Sequence, residues 1–434
     1  MDPGIAAIIA VVLMLILLAL GMPIAFSVIL VGFLGLVLLL GMKAALNSLA
    51  VLPFTHVGSY LLTVVPVFIL MGQFAFHAHI SDDLFSVAQK WLSRLPGGLA
   101  CATVAGCAMF GACTGSSLAC CATMGKIAIP EMEKAGYHPR IAVGTVAGAG
   151  GLAILIPPSV PAVLYASVSD ESVGKILIAG ILPGILSAII LIGFITLTVK
   201  RNPALAPRAA GFSWKERLKS LRSIWGIMLI FILVMGSMYM GWATPTEAGS
   251  VGAFGTLVAA LVRRRSSLHE IWTACLETVR SVSMIFFIFV GTTLFGFFLT
   301  RAGIPMTITD FIGGLPLPPI LIYIGIILFY IPLGMFLDTP AMILLTTPIV
   351  YPVIIHLGFN GIHFGIILII MCEVGLITPP VAFNLYVVKG VAPHVPMGEI
   401  MRGALPYVGR DLLIVAILMI FPQIPLWLPN MMMK

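Results

Sequence analysis

Two Pro-Pro pairs, each at the end of an apolar run that contains glycine, are the residues in this sequence best suited to bind a ligand. Pro157-Pro158 follows AGAGGLAILI, and Pro379-Pro380 follows EVGLIT. Proline has no backbone N–H, so each pair leaves carbonyl oxygens of the preceding helical turn without their usual donors. Carbonyl oxygens suit a hard cation such as Na⁺, and the N-terminus of the helix that resumes after the break attracts an anion. The chemistry predicted is the binding of an anion together with cations.

A pair of ordinary proline kinks is the alternative interpretation of these residues. A kink needs one proline, whereas here a glycine-containing run and a Pro-Pro pair occur together twice. Two interrupted helices at matching positions are typical of the binding site of a membrane transporter. We therefore predict two broken helices, over residues 140–166 and 361–387.

Two further apolar stretches, 97–130 and 317–357, have a turn-like segment in the middle and are predicted to be re-entrant hairpins. GACTGSS provides hydroxyl groups in the first, and GMFLDTP provides the acidic Asp338 in the second. Small residues also serve helix packing, but an acidic group at membrane depth is costly and usually functional. Asp338 is therefore a candidate cation ligand. Glu247 is either a helix cap or functional, and Glu373 either orients a helix or is functional.

The composition identifies the elements that must position these residues as membrane helices. Of the 434 residues 60% are hydrophobic and 9% are charged, whereas globular proteins carry roughly 25% charged residues. No Asp, Glu, Lys or Arg lies between Lys43 and Asp82 or between Asp338 and Glu373. Because about 20 apolar residues cross a bilayer, we predict an all-α polytopic membrane protein with about ten transmembrane helices. The predicted spans are residues 4–20, 23–42, 57–79, 140–166, 175–199, 224–240, 246–262, 279–299, 361–387 and 405–428, and residues 81–95 and 266–280 are predicted to lie at the interface.

The sequence repeats itself at an offset of about 222 residues. The landmarks that recur in order include Gly111 with Gly334, Ala153 with Gly375, Ile156 with Thr378, and the two Pro-Pro pairs. Each half contains five predicted crossings and one hairpin, and an odd number of crossings predicts an inverted-topology repeat. The two repeats are predicted over residues 1–200 and 224–434, joined by a polar linker over 201–223.

The basic residues predict the orientation of the chain in the membrane. With the N-terminus in the periplasm, all but four of the 23 Lys and Arg residues lie in cytoplasmic segments, as the positive-inside rule requires. The cytoplasmic set includes the linker, Arg263–Arg265 and Arg410, and the four exceptions are Lys43, Lys175, Arg301 and Lys434. Because the basic residues follow the topology in this way, the net charge of +7 does not indicate a nucleic acid partner.

Five segments resemble signatures of one transporter family, in its order and over the whole chain. They are GACTGSS, GGLAILIPPSVP, WATPTEAG, GMFLDTPAMILLTTPI and GLITPPVAFNLYVV. They are similar to the large membrane subunit of tripartite ATP-independent periplasmic (TRAP) transporters. The resemblance implies scaffold and transport regions, re-entrant hairpins and an elevator-type movement driven by sodium in the bacterial inner membrane. It also implies a separate small four-helix membrane subunit, and a periplasmic binding protein that delivers a carboxylate such as a C4-dicarboxylate or sialic acid.

The resemblance also implies which residues form the sites. The first sodium site corresponds to Gly111, Thr114, Ala153, Ile156 and Pro158, and the second to Gly334, Gly375, Thr378 and Val381, with Asp338 beside it. The residues expected to face the substrate are Ser116, Ser117, Ser159 and Asn384. Gly111 stands where the family often has serine, and Ala153 where it often has glycine. The first site is therefore expected to use backbone carbonyls in place of a lost hydroxyl.

Two other functions fit parts of the pattern. A stand-alone ion-coupled anion carrier of the same superfamily would share the hairpins and broken helices, but would need no binding protein. An intramembrane enzyme would need a nucleophile with a base or a metal site, and the sequence contains neither HExxH nor GxSxG. An enzyme also has no reason to duplicate its site upside down. We therefore predict a transporter with no organic cofactor.

Overall fold

The computed structural model describes residues 3–207, 211–263 and 266–432. Within these ranges the regular secondary structure is helical, and no strand occurs. Residues 208–210, 264, 265 and 434 carry part of the predicted topology and lie outside the described residues. The fold class is therefore the predicted one, an all-α membrane protein.

The first half of the described chain contains twelve α-helices. They are α1 (Pro3–Ala19), α2 (Ile24–Leu40), α3 (Met42–Val57), α4 (Val64–His77), α5 (Ile80–Leu92), α6 (Gly98–Thr114), α7 (Ser117–Lys134), α8 (Pro139–Ala149), α9 (Leu152–Leu155), α10 (Val160–Ser169), α11 (Val173–Ala179) and α12 (Ile181–Arg201). Helices α6 and α7 pack against each other as a hairpin over the predicted range 97–130, and α7 continues beyond that range to Lys134.

The second half of the described chain contains ten α-helices. They are α13 (Trp214–Tyr239), α14 (Pro245–Val262), α15 (Leu268–Arg301), α16 (Ile304–Gly313), α17 (Pro319–Gly334), α18 (Thr339–His356), α19 (Gly361–Ile377), α20 (Phe383–Val391), α21 (Met397–Ile420) and α22 (Gln423–Met431). Helices α17 and α18 pack together within the predicted range 317–357. The inverted orientation of the two halves stays a prediction.

Seven helical segments of the described chain are long and apolar enough to cross a membrane. An eighth is the bent pair formed by Pro139–Leu155 and Val160–Ser169, which meet at 46°. Helices α1, α2, α6, α17 and α19 are apolar but shorter. The structure therefore accounts for a polytopic protein, and the count of about ten crossings stays a prediction.

Several helices differ from the spans predicted from the sequence, and α3 and α16 lie where no span was predicted. Helix α15 continues for 34 residues through the segment predicted to lie at the interface, because the Ser267–Glu270 capping box starts one uninterrupted helix. A second capping box starts α13 at Trp214, inside the predicted linker. The predicted span 405–428 is instead divided between α21 and α22, at Phe421 and Pro422.

Close helix packing builds one side of the molecule from α2, α4, α14 and α15. Helix α2 lies along α15, and α4 lies along both α14 and α15. A Cβ added to Gly32 would lie 2.8 Å from the backbone nitrogen of Phe295, so α2 and α15 approach as closely as their backbones allow. This packed group, called the scaffold group below, forms a wall against which the two hairpins end.

Candidate functional site

The first hairpin ends in a tight turn that presents hydroxyl groups. Helix α6 ends at Thr114, Gly115 has a left-handed φ of +60°, and Ser116 caps the start of α7 by accepting a hydrogen bond from the Ala119 N–H at 3.4 Å. A Cβ added to Gly115 would lie 2.7 Å from the carbonyl oxygen of Pro158. Glycine is therefore required both for the backbone conformation and for the close approach to the first broken helix. Gly115–Ser116 is called the first turn below.

The first broken helix is interrupted at Ile156–Ser159, called the first break below. Ile156 is extended (φ −79°, ψ 124°), the Pro157-Pro158 peptide is cis, and α10 resumes at Val160. The Ser159 hydroxyl caps α10 by accepting from the Ala162 N–H at 3.3 Å, and it donates to the carbonyl of Ile154. Ser159 thus replaces one of the donors that the prolines cannot provide.

The second hairpin ends in Met335–Asp338, called the second turn below. Asp338 caps α18 by accepting a hydrogen bond from the Ala341 N–H at 3.0 Å. The end of α17 touches the second broken helix, because a Cβ added to Gly334 would lie 2.7 Å from the Cα of Gly375. The corresponding contact in the first half joins Gly111 to Ala153, where an added Cβ would lie 2.4 Å from Cα.

The second broken helix is interrupted at Thr378–Ala382, called the second break below. Thr378 is extended (φ −97°, ψ 124°), the Pro379-Pro380 peptide is cis, and α20 begins at Phe383. The Thr378 hydroxyl donates to the carbonyl of Val374, one turn earlier. Val381 follows the Pro-Pro pair. The two breaks thus have the same backbone pattern, in which an extended residue is followed by a cis Pro-Pro peptide.

A cavity of about 410 Å³ lies between the two turns and the scaffold group. Helix α4 contributes Gln73, and α15 contributes Glu277 and Ser281. The polar lining from the two hairpins consists of Thr114, Ser116, Ser117, Thr123, Asp338 and Thr339. Among the described residues, no lysine or arginine lines this cavity. An anion held here must therefore be balanced by helix N-termini or by cations.

Four of the residues predicted to form the sites line the cavity, namely Thr114, Ser116, Ser117 and Asp338. Eight others do not line it but lie at the hairpin–break contacts or in the breaks themselves, namely Gly111, Ala153, Ile156, Pro158, Gly334, Gly375, Thr378 and Val381. Their role in binding sodium stays a prediction.

Ser159 and Asn384, both expected to face the substrate, do not reach the cavity wall in this structure. Ser159 is 1% exposed and Asn384 is fully buried. The Ser159 hydroxyl is engaged at the first break, and the Asn384 amide bonds to Ser117 and Glu373. Both polar groups bond to the protein in this structure, and their role in facing the substrate stays a prediction.

A buried ion pair in α21 was not predicted from the sequence. Arg410 was assigned to a cytoplasmic loop, but this assignment is wrong because Arg410 lies inside the helix and is 5% exposed. Its guanidinium lies 2.8 Å from Asp411 Oδ1 and donates to Ser187 Oγ at 2.7 Å and to the Gly148 carbonyl at 2.9 Å. The adjacent acid at position 411 was the signal that could have revealed the pair.

Glu247, left open between a cap and a functional group, is a helix cap in the structure. The Thr244 N–H donates to Glu247 Oε2 at 2.8 Å, and the Glu247 N–H donates to Thr244 Oγ1 at 3.3 Å. This reciprocal pair is a capping box at the start of α14.

Among the described residues, no group of three or more His, Cys, Asp or Glu side chains is arranged to hold a metal ion.

Comparison with known proteins gives a consistent result along the chain. Residues 11–424 match the family model described as tripartite ATP-independent periplasmic transporter, DctM component. The C4-dicarboxylate TRAP transporter large permease protein DctM of Pseudomonas aeruginosa is 37% identical over 399 residues, covering 91% of this chain and 92% of that protein. The sialic acid TRAP transporter large permease protein SiaM of Vibrio cholerae is 30% identical over 413 residues, 95% of each. The YdaH transporter of Alcanivorax borkumensis has a similar fold, with a TM-score of 0.60 and 16% identity over 89% of this chain and 88% of that one.

Proposed function

Because this chain belongs to the DctM component family of tripartite ATP-independent periplasmic (TRAP) transporters, we propose that it carries an organic acid inward across the bacterial inner membrane with Na⁺. The observation that carries the proposal is the position of the cavity. It lies between two hairpin turns, and each hairpin contacts a helix interrupted by a Pro-Pro pair. This arrangement offers oxygen ligands for cations immediately beside a hydroxyl-lined space for an anion.

The cation sites use carbonyl groups that the prolines leave without helical donors. In an α-helix the N–H of residue 379 would bond to the Gly375 carbonyl and that of residue 380 to the Leu376 carbonyl, but both residues are proline. Ala153 and Ile154 are in the same position relative to Pro157-Pro158. The Gly375 carbonyl accepts instead from the Thr378 N–H at 3.2 Å, and the Ile154 carbonyl accepts from the Ser159 hydroxyl, so each of these two offers a cation its second lone pair. Carbonyl and hydroxyl oxygens are ligands for hard cations, so the residues present fit Na⁺ at both breaks.

The substrate is proposed to be a carboxylate held at the first turn. The N-terminus of α7 points its unpaired N–H groups into the region of Ser116 and Ser117, both of which line the cavity. The cap of α18 is instead the acidic Asp338, which offsets the positive end of that helix. The cap of α7 is the neutral Ser116, and Glu373 bonds to Ser117 from inside the protein. The anion is therefore proposed to bind at the first turn through Ser116 and the N-terminus of α7. The names of the two large-permease relatives, one for C4-dicarboxylate and one for sialic acid, support a carboxylate.

The movement proposed is an elevator, in which the hairpins and broken helices shift against the scaffold group. The cavity supports this proposal because its walls come from both parts. Helix α13, helix α14 and the loop between them expose large apolar side chains, namely Trp225, Phe254 and Trp242 respectively. Lipid and a separate small four-helix membrane subunit are proposed to cover them. A periplasmic binding protein is proposed to deliver the substrate to the side on which the N-terminus lies.

Uptake in proteoliposomes tests this function against that of a stand-alone carrier. We expect uptake only when an inward Na⁺ gradient, the small membrane subunit and the cognate binding protein are all present. The measurement is the initial uptake rate of labelled carboxylates, with each component omitted in turn and Na⁺ replaced by K⁺. Full uptake without the binding protein would favour the stand-alone carrier, and full uptake in K⁺ would contradict sodium coupling.

The Thr378 hydroxyl provides a smaller test of the second cation site. Its hydrogen is donated to the Val374 carbonyl, so the oxygen lone pairs remain available as a ligand. Thr378→Val preserves the shape and is expected to weaken sodium activation by about 1–3 kcal/mol. The measurement is the Na⁺ concentration that gives half-maximal uptake. Thr103→Val is the matched control, since the fully buried Thr103 also donates to the carbonyl four residues earlier, at 2.9 Å, but lies in the first half of α6, outside both breaks and the cavity lining. An equal effect of both substitutions would remove the argument for Thr378.

A further inference from the structure

A closed ring of hydrogen bonds joins Glu373 to the first turn. Glu373 is 3% exposed on α19, two residues before Gly375. Its Oε2 accepts from Ser117 Oγ at 2.9 Å, and its Oε1 accepts from Asn384 Nδ2 at 2.9 Å. Asn384 Nδ2 also donates to Ser117 Oγ at 2.8 Å, which closes the ring. Both carboxylate oxygens and the Ser117 hydroxyl are therefore engaged with one another inside the protein.

The three side chains of this ring come from elements that lie far apart in the sequence. Ser117 begins α7 at the first turn, Glu373 precedes the second break, and Asn384 follows it. Glu373 also lies against the first broken helix, because a Cβ added to Gly151 would lie 2.1 Å from its Cγ. One side chain thus contacts the first hairpin, the start of α9 and both sides of the second break.

We infer that Glu373 is a positioning residue that makes the two cation sites bind cooperatively. This inference rests on the proposed sodium coupling. Ordering the second break around a cation fixes Glu373, which in turn holds Ser117 and the backbone near Gly151 against the first break. Binding at either site then lowers the cost of ordering the other, and such coupling is reciprocal. Glu373 acts through its neighbours and is not itself a ligand.

Glu373→Gln is the test that changes the ring with the least change in volume. Glutamine has one accepting oxygen and an NH₂ group that only donates, so the bond from the Ser117 hydroxyl must either reverse its direction or break. In both cases the negative charge that strengthens the bonds of the ring is lost. Na⁺ binding to the purified full chain is measured by isothermal titration calorimetry, with ionic strength held constant by K⁺. We expect cooperative binding in the unmodified protein. In the variant we expect a Hill coefficient near one and at least an about fivefold rise in half-saturating Na⁺.

Ser117→Ala is the second variant, because it removes two bonds of the ring and keeps the Glu373 carboxylate. It is expected to abolish cooperativity equally, and the double variant is expected to lose no more than either single one, since all three remove the same link. The matched control is Tyr407→Phe, which removes a buried 2.9 Å hydrogen bond to Thr145 that also joins the two halves. This control is expected to lower the thermal unfolding midpoint but keep the Hill coefficient.

The outcomes separate this inference from the function on which it rests. Absence of Na⁺ binding in the unmodified protein would contradict the proposed sodium coupling itself. Na⁺ binding with a Hill coefficient of one in the unmodified protein would overturn the inference alone. So would cooperativity that persists in Glu373→Gln and Ser117→Ala, or that is lost equally in Tyr407→Phe, since the ring would then serve stability only.

Discussion

Replacing Pro379 and Pro380 together by alanine is expected to reduce sodium-driven uptake to near background while the protein still inserts in the membrane. Alanine restores two backbone N–H groups and favours helix. These groups can bond to the carbonyls of Gly375 and Leu376, so that α19 continues through the second break. The carbonyl oxygens proposed to hold the cation are then used within the helix, and α20 is displaced. The measurement is the initial uptake rate as a function of Na⁺ concentration.

The control for this variant is Pro406→Ala, which removes an exposed proline from inside α21. That substitution also restores an N–H within a helix, but at a position where the helix is already continuous. Its uptake is expected to equal that of the unmodified protein. If the double alanine variant kept the unmodified sodium dependence at full rate, the second break would be an ordinary kink, and the proposed second cation site would be wrong.

The prediction of the breaks from the sequence succeeded because proline acts locally. A Pro-Pro pair inside an apolar run removes two consecutive helical donors, and the structure shows an extended residue at Ile156 and at Thr378. The hairpin turns were predictable for a similar reason, since Gly115 has the positive φ that glycine favours. The turns and breaks of the site could therefore be located from local residue types alone, without knowledge of any long-range contact.

The side-chain partners could not be predicted, because they depend on contacts between residues more than 200 positions apart. Ser117 was expected to face the substrate, and it does line the cavity, but its hydroxyl also bonds to Glu373. Asn384 was expected beside it, and its amide bonds behind the wall instead. Arg410 was assigned to a loop because the positive-inside rule counts basic residues only, whereas in the structure Asp411 pairs with the Arg410 guanidinium. A charge pattern cannot distinguish a loop residue from a buried pair.

The helix boundaries that were wrong also have a common physical cause. Helix α15 continues through a polar segment because the Ser267–Glu270 capping box and the packing against α2 stabilise one long helix. The span predicted over 405–428 is instead interrupted at Pro422, which follows the end of α21. Hydropathy reports how apolar a segment is, whereas caps and tertiary packing decide where its helix begins and ends.

The second largest effect is expected from Gly375→Ala, where a single methyl group would separate the second hairpin from its broken helix. A Cβ at this position would lie 2.4 Å from the Cα of Gly334 and 2.6 Å from its carbonyl carbon. Carbon atoms in contact lie about 3.5–4.0 Å apart, so the two backbones must move apart by roughly 1 Å. Both are backbone atoms, and no side-chain rotation can relieve the contact. A displacement of this size in a binding site can cost about 100-fold in rate, and we expect uptake to fall by that order.

Gly325→Ala is the matched control, because Gly325 lies in the same hairpin helix, α17, and a Cβ there would meet no atom within 4 Å. Alanine is the better helix former, so this control is expected to be neutral or slightly stabilising. Gly334→Ala approaches the same contact from the other side and is expected to resemble Gly375→Ala in both uptake and half-saturating Na⁺. The thermal unfolding midpoint shows whether the Gly375→Ala protein is folded. Normal uptake by the folded variant would mean that the second hairpin can move away from the broken helix without loss of transport. The contact between Gly334 and Gly375 would then have no part in transport, and the proposed second cation site would have to lie elsewhere.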